Sequence, residues 1–426
     1  MIGISVIEDA RAALQEGSVD QVFQILDDSA LRSIDSGEAH ALLGLAHLRK
    51  QQYGQAIANF DAALERNPDS PALIFNRAMA YSAAGRSDSA ITEFARVIEL
   101  VPDNLEAIVN TGIIHLRDEN YGKAVDFLER ALTLRPKFPQ LMRSLANALG
   151  GDGRLDDALR LHAEVESMTG SDPAALTDFG YCLVSSGRFT EATRRFERAL
   201  RLVPEDQSAL AGLYLAANES GRHDQAAALM DYGRLMAEDR DAFELVDLFT
   251  LREAALAHPD LQWEPSGRST RFGRQTPMLD STPQSPFYSV FARLEAFVAR
   301  RLDALGSDAG LSQHPWILGI PKHWRIQAWC TVLREGGCQS SHIHPAGWMS
   351  GVVYIDSGDP THQGDGQLIF GHPPTRLSLD GQPLELVHSP ASGQLLCFPS
   401  YFFHHTTPYS GTRPRISLAF DVIPEA

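Results

Sequence analysis

Along the first 240 residues, apolar and small side chains recur at helical spacing in pairs of runs, and the pair repeats every 34 residues. Blocks open at Gly37, Pro71, Leu105, Pro139, Pro173 and Gln207 without an insertion. Each of the first five carries a small residue at its eighth place (Gly44, Ala78, Gly112, Ala146, Gly180), and all six carry alanine at the twentieth (Ala56, Ala90, Ala124, Ala158, Ala192, Ala226). Small residues at fixed places let two helices approach closely, so each block predicts an antiparallel helical hairpin. Glycine at the fifteenth place (Gly85, Gly153, Gly187, Gly221) suits a turn through left-handed backbone. Proline at the thirty-second (Pro68, Pro102, Pro136, Pro204) stops the second helix.

After Arg240 the period fails. The run FELVDLFTLREAALAHPDLQWEP predicts a helix ending near His258 and Pro259, followed by a polar stretch with glycine and proline to Pro286. Residues 287–305 place apolar side chains at three- and four-residue steps, an amphipathic helix suited to bracing a sheet. From Trp324 the pattern turns to alternation and short apolar runs: WRIQAWCTVL, MSGVVYI, GQLIF, LELVH, GQLLCF and RISLAFDVI. Six short strands with turn residues between them predict an antiparallel sandwich or jelly roll.

The formal charge of -17 opposes binding to a phosphate backbone or an anionic membrane surface, so neither nucleic acid nor membrane is expected as a partner. Four cysteines, Cys182, Cys330, Cys338 and Cys397, form no CxxC pair, which indicates neither a disulfide scaffold nor a zinc knuckle; Cys330 and Cys338 flank an expected strand and turn and read as buried thiols, and a reducing cytoplasm fits. No secretory signal or run of eighteen apolar residues is visible.

Eight of the fifteen histidines fall between His323 and His405. His342 and His344 are two apart, so in extended backbone both rings project to one side. His404 follows the strand GQLLCF, and antiparallel pairing can return it beside them, giving three imidazoles on one face of a metal with positions left open for a co-substrate and oxygen. His405 competes with His404, since one residue of slip turns the ring to the other face. Arg415 and Ser417 are again two apart, and a guanidinium suits a carboxylate held as a forked pair. His323, His362, His372 and His388 lack partners at ligand spacing and read as surface or loop residues. Trp329, Trp348, Tyr354 and Tyr401 are candidates for the pocket wall as well as for the core.

The repeats over residues 37–240 resemble tetratricopeptide repeats, with residues 1–36 a weaker capping copy. In that family the first helices line a concave groove, and the corresponding places here supply Leu45, Leu48, Phe75, Met79, Val109, Ile113, Leu116 and Tyr181, an apolar surface suited to neighbouring helices or to a peptide. Trp329, HIHP (342–345), SGVVYI, FPSYFFH and RIS resemble the 2-oxoglutarate/Fe(II)-dependent oxygenases of double-stranded β-helix fold, specifically a tetratricopeptide-containing branch. That resemblance covers residues 241–426, with its motif core at 324–423. It implies Fe(II), 2-oxoglutarate and O2 as cofactor and co-substrates, His342 and His404 as metal ligands, and Arg415 with Ser417 on the distal carboxylate of 2-oxoglutarate. The chain departs from the usual HxD or HxE pattern: His344 stands where the carboxylate would be. Either His344 completes a three-histidine site, or water or a carboxylate such as Asp356 or Asp365 does. The architecture also resembles aspartyl/asparaginyl and prolyl hydroxylases, which implies a peptide or protein substrate; a small-molecule oxygenase and a non-catalytic binding scaffold are the alternatives.

Overall fold

The computed structural model of the protein describes residues 2–27, 37–265, 268–377 and 379–425. It divides into two compact units, Met1–Gly153 and Arg154–Ala426.

The 34-residue register sets the helix starts. Six pairs follow it: Gly37–Arg49 with Tyr53–Arg66, Pro71–Ala83 with Ser87–Leu100, Leu105–Arg117 with Tyr121–Leu134, Pro139–Gly151 with Leu155–Thr169, Pro173–Ser185 with Phe189–Leu202, and Gln207–Glu219 with His223–Leu229. The fourth pair is divided between the units. Ser70, Asn104, Asp172 and Asp206 each cap a first helix by accepting from its first-turn N–H groups. The small eighth place has a steric cause: a β-carbon on Gly44 would stand 2.6 Å from the Phe60 ring, and one on Gly180 2.5 Å from Phe196. The turn place takes positive φ throughout, 73° at Gly85 and 70° at Gly187, and Gln51 and Glu119 adopt it too, each at 60°.

In the first unit the helices Ile2–Gln15 and Val19–Ile25 precede the repeats and bury Ala13, Leu14 and Val22 against Leu42, Leu43 and Ala46. The rest of the expected capping copy, 28–36, lies outside the described residues. Of the groove candidates there, Leu45, Leu48, Phe75, Met79 and Val109 are half-buried against neighbouring clusters, and Ile113 is exposed.

In the second unit the chain forms strands β1 (Ala237–Asp239), β2 (Gln262–Trp263), β3 (Thr270–Gln275), β4 (His323–His342), β5 (Met349–Asp356), β6 (Leu368–Phe370), β7 (Leu386–His388), β8 (Leu395–Pro399), β9 (His404–Thr406) and β10 (Arg415–Glu425). They pair in the order β1-β8-β5-β10-β4-β9-β6-β7, with β3 joining β2 to β4. The first half of β4, His323 to Leu333, pairs with β10, whereas its end, Gln339 to His342, pairs with β9. One long strand thus carries the sheet around into a second wall, and all the pairings are antiparallel, as in a jelly roll. Six of the strands are those the alternation predicts. β1, β2 and β9 span two or three residues each, too short to show a period, and β3 is a polar run whose strand state comes from its partner β4.

One core runs from the last repeats into this sheet. Leu210, Leu213 and Leu229 of the sixth pair belong to the same buried cluster as Val353, Phe398 and Leu418 of the strands. Tyr214 of helix Gln207–Glu219 receives a hydrogen bond from the Leu384 N–H at 3.2 Å and donates to the Gly371 carbonyl at 3.3 Å. Glu219 accepts from the N–H groups of Asp380 and Gly381, and Tyr232 donates to the Leu384 carbonyl. Helix Tyr288–Ser307 adds Leu294, Val298 and Leu302 to that core as a brace.

All four cysteines are free; Cys182, Cys330 and Cys397 are buried. Burial pushes the Cys182 thiol up to about 11 and Cys397 up to about 12, so these groups pack as neutral thiols. Among the described residues, no helix is long and apolar enough to cross a membrane.

Candidate metal centre

His342 ends β4 and lies directly opposite His404, the first residue of β9, which also pairs with Phe370 of β6. Residues facing each other across a ladder share a side, and the two rings stand 4.3 Å apart between centroids. His344 is two residues further on, where its N–H donates to the Ser400 carbonyl at 3.0 Å just after β8. One ring nitrogen from each of the three lies within 4.8 Å of the others. His405 turns to the opposite side, against the ring of His372. The structure therefore brings His342, His344 and His404 together and leaves His405 out.

Hydrogen bonds fix which nitrogens face inward. The Nδ1 of His342 lies 2.7 Å from the Ser340 carbonyl, that of His404 2.8 Å from the Phe402 carbonyl, and that of His344 2.6 Å from an Asp421 carboxylate oxygen. Each partner only accepts, so each Nδ1 carries the proton and each Nε2 is left with a lone pair. The Nε2 atoms of His342 and His344 are 3.1 Å apart, and the Ser269 hydroxyl donates to that of His342 at 3.2 Å. Two lone pairs that close repel unless a cation lies between them, whereas two nitrogens held at about 2.1 Å from one metal and about a right angle apart stand about 3 Å from each other. The donor set fits a divalent metal on one face.

Electrostatics agree. Burial, with His344 alongside, holds His342 down to about 3, and burial with His342 alongside holds His404 well below the usual range, so both rings are neutral at neutral pH, as metal ligation requires. His404 is 5% exposed and walled by Phe398 and Phe370, with ring centroids at 4.9 and 6.0 Å. Trp329 flanks His344 at 5.6 Å.

Further along the same interior lies Arg415, 2% exposed. No hydrogen bond of good geometry reaches its Nε and Nη1 or the Thr331 hydroxyl, and the Tyr354 hydroxyl, though close enough to interact with the guanidinium, is likewise without a well-formed hydrogen bond. Register explains the grouping: Ser417 pairs with Thr331 on β4 and with Tyr354 on β5, and Arg415 is two residues from Ser417 on the same face of β10. Its guanidinium sits 5.3 Å from the Tyr354 ring centroid. A buried cation among unpartnered hydroxyls is costly alone and is matched by a carboxylate that accepts from all of them. These residues fit one end of a dicarboxylate such as 2-oxoglutarate.

The remaining candidates fall elsewhere. Asp356 pairs with Arg252 at 3.2 Å, and Asp365 accepts from Ser410 and from the His362 N–H, so neither joins the histidines. His372 meets Glu385 at 2.7 Å, and His323 and His362 are exposed, but His388, read from sequence as surface or loop, lies half-buried in β7, meets Gln394 at 3.2 Å and stacks on the Tyr354 ring at 6.0 Å beside the arginine end. Trp348 stacks on Trp316 at 4.0 Å, and Tyr401 donates to the Leu229 carbonyl, so both belong to the core. Asp421, Ser350, Ser269 and Thr331 escape the sequence reading. For Asp421 and Thr331 the signal was present, since each shares the inward parity of its strand.

With this geometry in view, comparison with known proteins gives a two-part answer. Residues 327–421 match the family model described as "Putative 2OG-Fe(II) oxygenase", and residues 28–71, 41–104, 75–141 and 177–234 match the tetratricopeptide repeat model. The chain thus carries a region that matches a "Putative 2OG-Fe(II) oxygenase" domain, behind tetratricopeptide repeats. Curated relatives match over part of the chain: Tetratricopeptide repeat protein 8 of Caenorhabditis elegans is 26% identical over 45% of this chain and 38% of its own length. Protein O-mannosyl-transferase TMTC1 of Homo sapiens is 24% identical over 42% and 21%. The chain therefore spans well under half the length of these relatives. Among solved structures, a tetratricopeptide repeat protein from Parabacteroides merdae is 17% identical, with a TM-score of 0.47 over 54% of this chain and 91% of that one.

Proposed function

We propose that this chain is a 2-oxoglutarate- and Fe(II)-dependent dioxygenase that hydroxylates a C–H bond of a peptide or protein substrate, of the prolyl or aspartyl/asparaginyl kind, brought to it by the repeats. His342, His344 and His404 would hold the iron, and Arg415 with Ser417, Thr331 and Tyr354 the distal carboxylate of 2-oxoglutarate. With its co-substrate and O2 bound, the iron supplies the oxidising power to convert R–H to R–OH while 2-oxoglutarate leaves as succinate and CO2. The protein's own part is placement: hydrogen-bonded rings fixed in one tautomer, a buried cation waiting for a carboxylate, and aromatic walls that exclude water.

The observation that carries this reading is the buried Arg415 guanidinium, its Nε and Nη1 without a hydrogen-bond partner, on the same face of β10 as Asp421, which contacts His344 of the histidine cluster. A metal site alone would serve many chemistries; paired with a buried carboxylate receptor it points to a metal-chelating keto acid. The peptide substrate is supported by the core that the fifth and sixth repeats share with the sheet, because a segment held by those two repeats then keeps a fixed relation to the metal. The free thiols are compatible with a reducing compartment, and the cytoplasm is part of the proposal.

The test is oxygen-dependent succinate release by the Fe(II)-loaded protein, with and without a peptide library, followed by mass spectrometry for the gain of one oxygen. Peptide-stimulated succinate with an oxidised peptide is the expected result. Stimulation by small metabolites alone would move the substrate to a biosynthetic small molecule, and no succinate under any condition would leave a binding scaffold.

A further inference from the structure

The unusual feature of the histidine cluster is the missing ligand carboxylate, and the structure holds one immediately behind it. Asp421, 8% exposed, places an oxygen 2.6 Å from the His344 Nδ1. The same oxygen accepts from the Ser350 hydroxyl at 2.6 Å, and Ser350 is 2.7 Å from the Ser400 hydroxyl. Ser400 in turn takes the His344 N–H on its carbonyl at 3.0 Å. Backbone and ring of His344 are therefore held by one closed chain, His344, Asp421, Ser350, Ser400. Gly347 makes room for it: a β-carbon there would stand 2.8 Å from the Ser400 hydroxyl oxygen and 3.1 Å from the Asp421 β-carbon.

We propose that Asp421 is the positioning residue of the metal centre, returning through the His344 ring the negative charge that a ligating carboxylate would bring directly. The inference rests on the metal reading above. A carboxylate on Nδ1–H locks the tautomer with Nε2 inward, and it draws the proton toward itself so that the ring becomes a stronger electron donor. A three-histidine site, formally one charge more positive than two histidines and a carboxylate, is thereby brought back toward the usual balance. Neither carbonyl partner, Ser340 for His342 or Phe402 for His404, can do this, because neither carries a charge.

The experiment is an anaerobic Fe(II) titration, then 2-oxoglutarate, on wild type, Asp421→Asn, Asp421→Glu and His344→Asp, and on His344→Asp combined with Asp421→Asn. Asn keeps the shape and an acceptor oxygen and removes the charge. The expected result is Fe(II) binding weakened about 10–100-fold in Asp421→Asn. The iron-to-2-oxoglutarate absorption band should move to shorter wavelength as the metal becomes electron-poorer, and Glu should restore part of both. In the His344→Asp background the Asn change should cost nothing, because the charge is then supplied at the metal. Ser350→Ala, which removes only the far-side hydroxyl, should weaken binding by a smaller factor and keeps the test open if Asp421→Asn does not fold. Wild-type affinity and an unmoved band in both Asp421→Asn and Ser350→Ala overturn the inference, as does an equal loss in the His344→Asp background, which marks general damage. Wild type that binds no Fe(II) defeats the metal reading, and this inference with it.

Discussion

The two ends of the barrel interior are built on opposite principles. At the histidine end, each Nδ1 has an oxygen partner within 2.8 Å, and the chain of Asp421, Ser350 and Ser400 closes behind His344. At the arginine end, Arg415, Tyr354 and Thr331 keep polar atoms buried with no partner. A satisfied network is rigid before any ligand arrives, whereas a buried unpartnered cation lowers stability until a carboxylate reaches it. Under the proposed function, the chain would pre-form the metal end and leave the other to be completed by the co-substrate. Binding energy and stability should respond differently at the two ends, and that difference can be measured.

The largest effect is expected from removing a ligand. His404→Ala or His342→Ala should lower Fe(II) affinity by more than the roughly 10–100-fold that an outer partner is worth, read as metal retained after anaerobic desalting. If either variant holds iron as wild type does, the three rings are not the site. Next comes Arg415→Met, which should weaken 2-oxoglutarate binding by about 2–3 kcal/mol, from the loss of charge-assisted hydrogen bonds, while Fe(II) affinity stays put. The same change should raise the melting temperature of the metal-free protein, because it deletes a buried charge that only the Tyr354 side chain compensates in part. A fall in melting temperature would mean that Arg415 is already paired, and the contrast between the two ends would fail.

Tyr354→Phe and Thr331→Val should each weaken 2-oxoglutarate binding by only about 1 kcal/mol, with a slight gain in metal-free stability. The smallest effect is that of pH near neutrality. His342 and His404 are held below their usual value of 6.5 in the fold, so the unfolded chain binds more protons as pH falls through that value. Metal-free stability is then complete above about pH 7 and declines with acid, by about 0.7 kcal/mol between about pH 7.5 and about pH 6.5 for two such groups. Denaturant unfolding at the two pH values checks it; a rise in stability toward acid would contradict neutral, buried rings.

How far the sequence could be read follows from the same physics. The repeats are legible because one 34-residue rule acts at every block, so the starts at Pro71, Leu105, Pro139 and Pro173 need no tertiary information. His342, His344, Arg415 and Ser417 are legible because strand alternation puts residues two apart on one face. Asp421 sits on that face as well, six residues beyond Arg415, yet its partner His344 is 77 residues away and meets it only once the sheet has closed. Thr331 likewise carries the inward parity of its strand but is singled out only by its register opposite Ser417. The short strand β9, which carries His404, has three residues and no period of its own; its place comes from pairing with β4 and β6.

The most direct measurement is the anaerobic absorption spectrum of the Fe(II)-loaded protein during titration with 2-oxoglutarate. The account predicts a saturable visible band in wild type, its lateral shift in 2-oxoglutarate concentration by roughly 30- to 150-fold in Arg415→Met, and its absence in His404→Ala. Iron-loaded wild type that shows no band at any concentration of 2-oxoglutarate would contradict it, as would a band whose concentration dependence ignores Arg415.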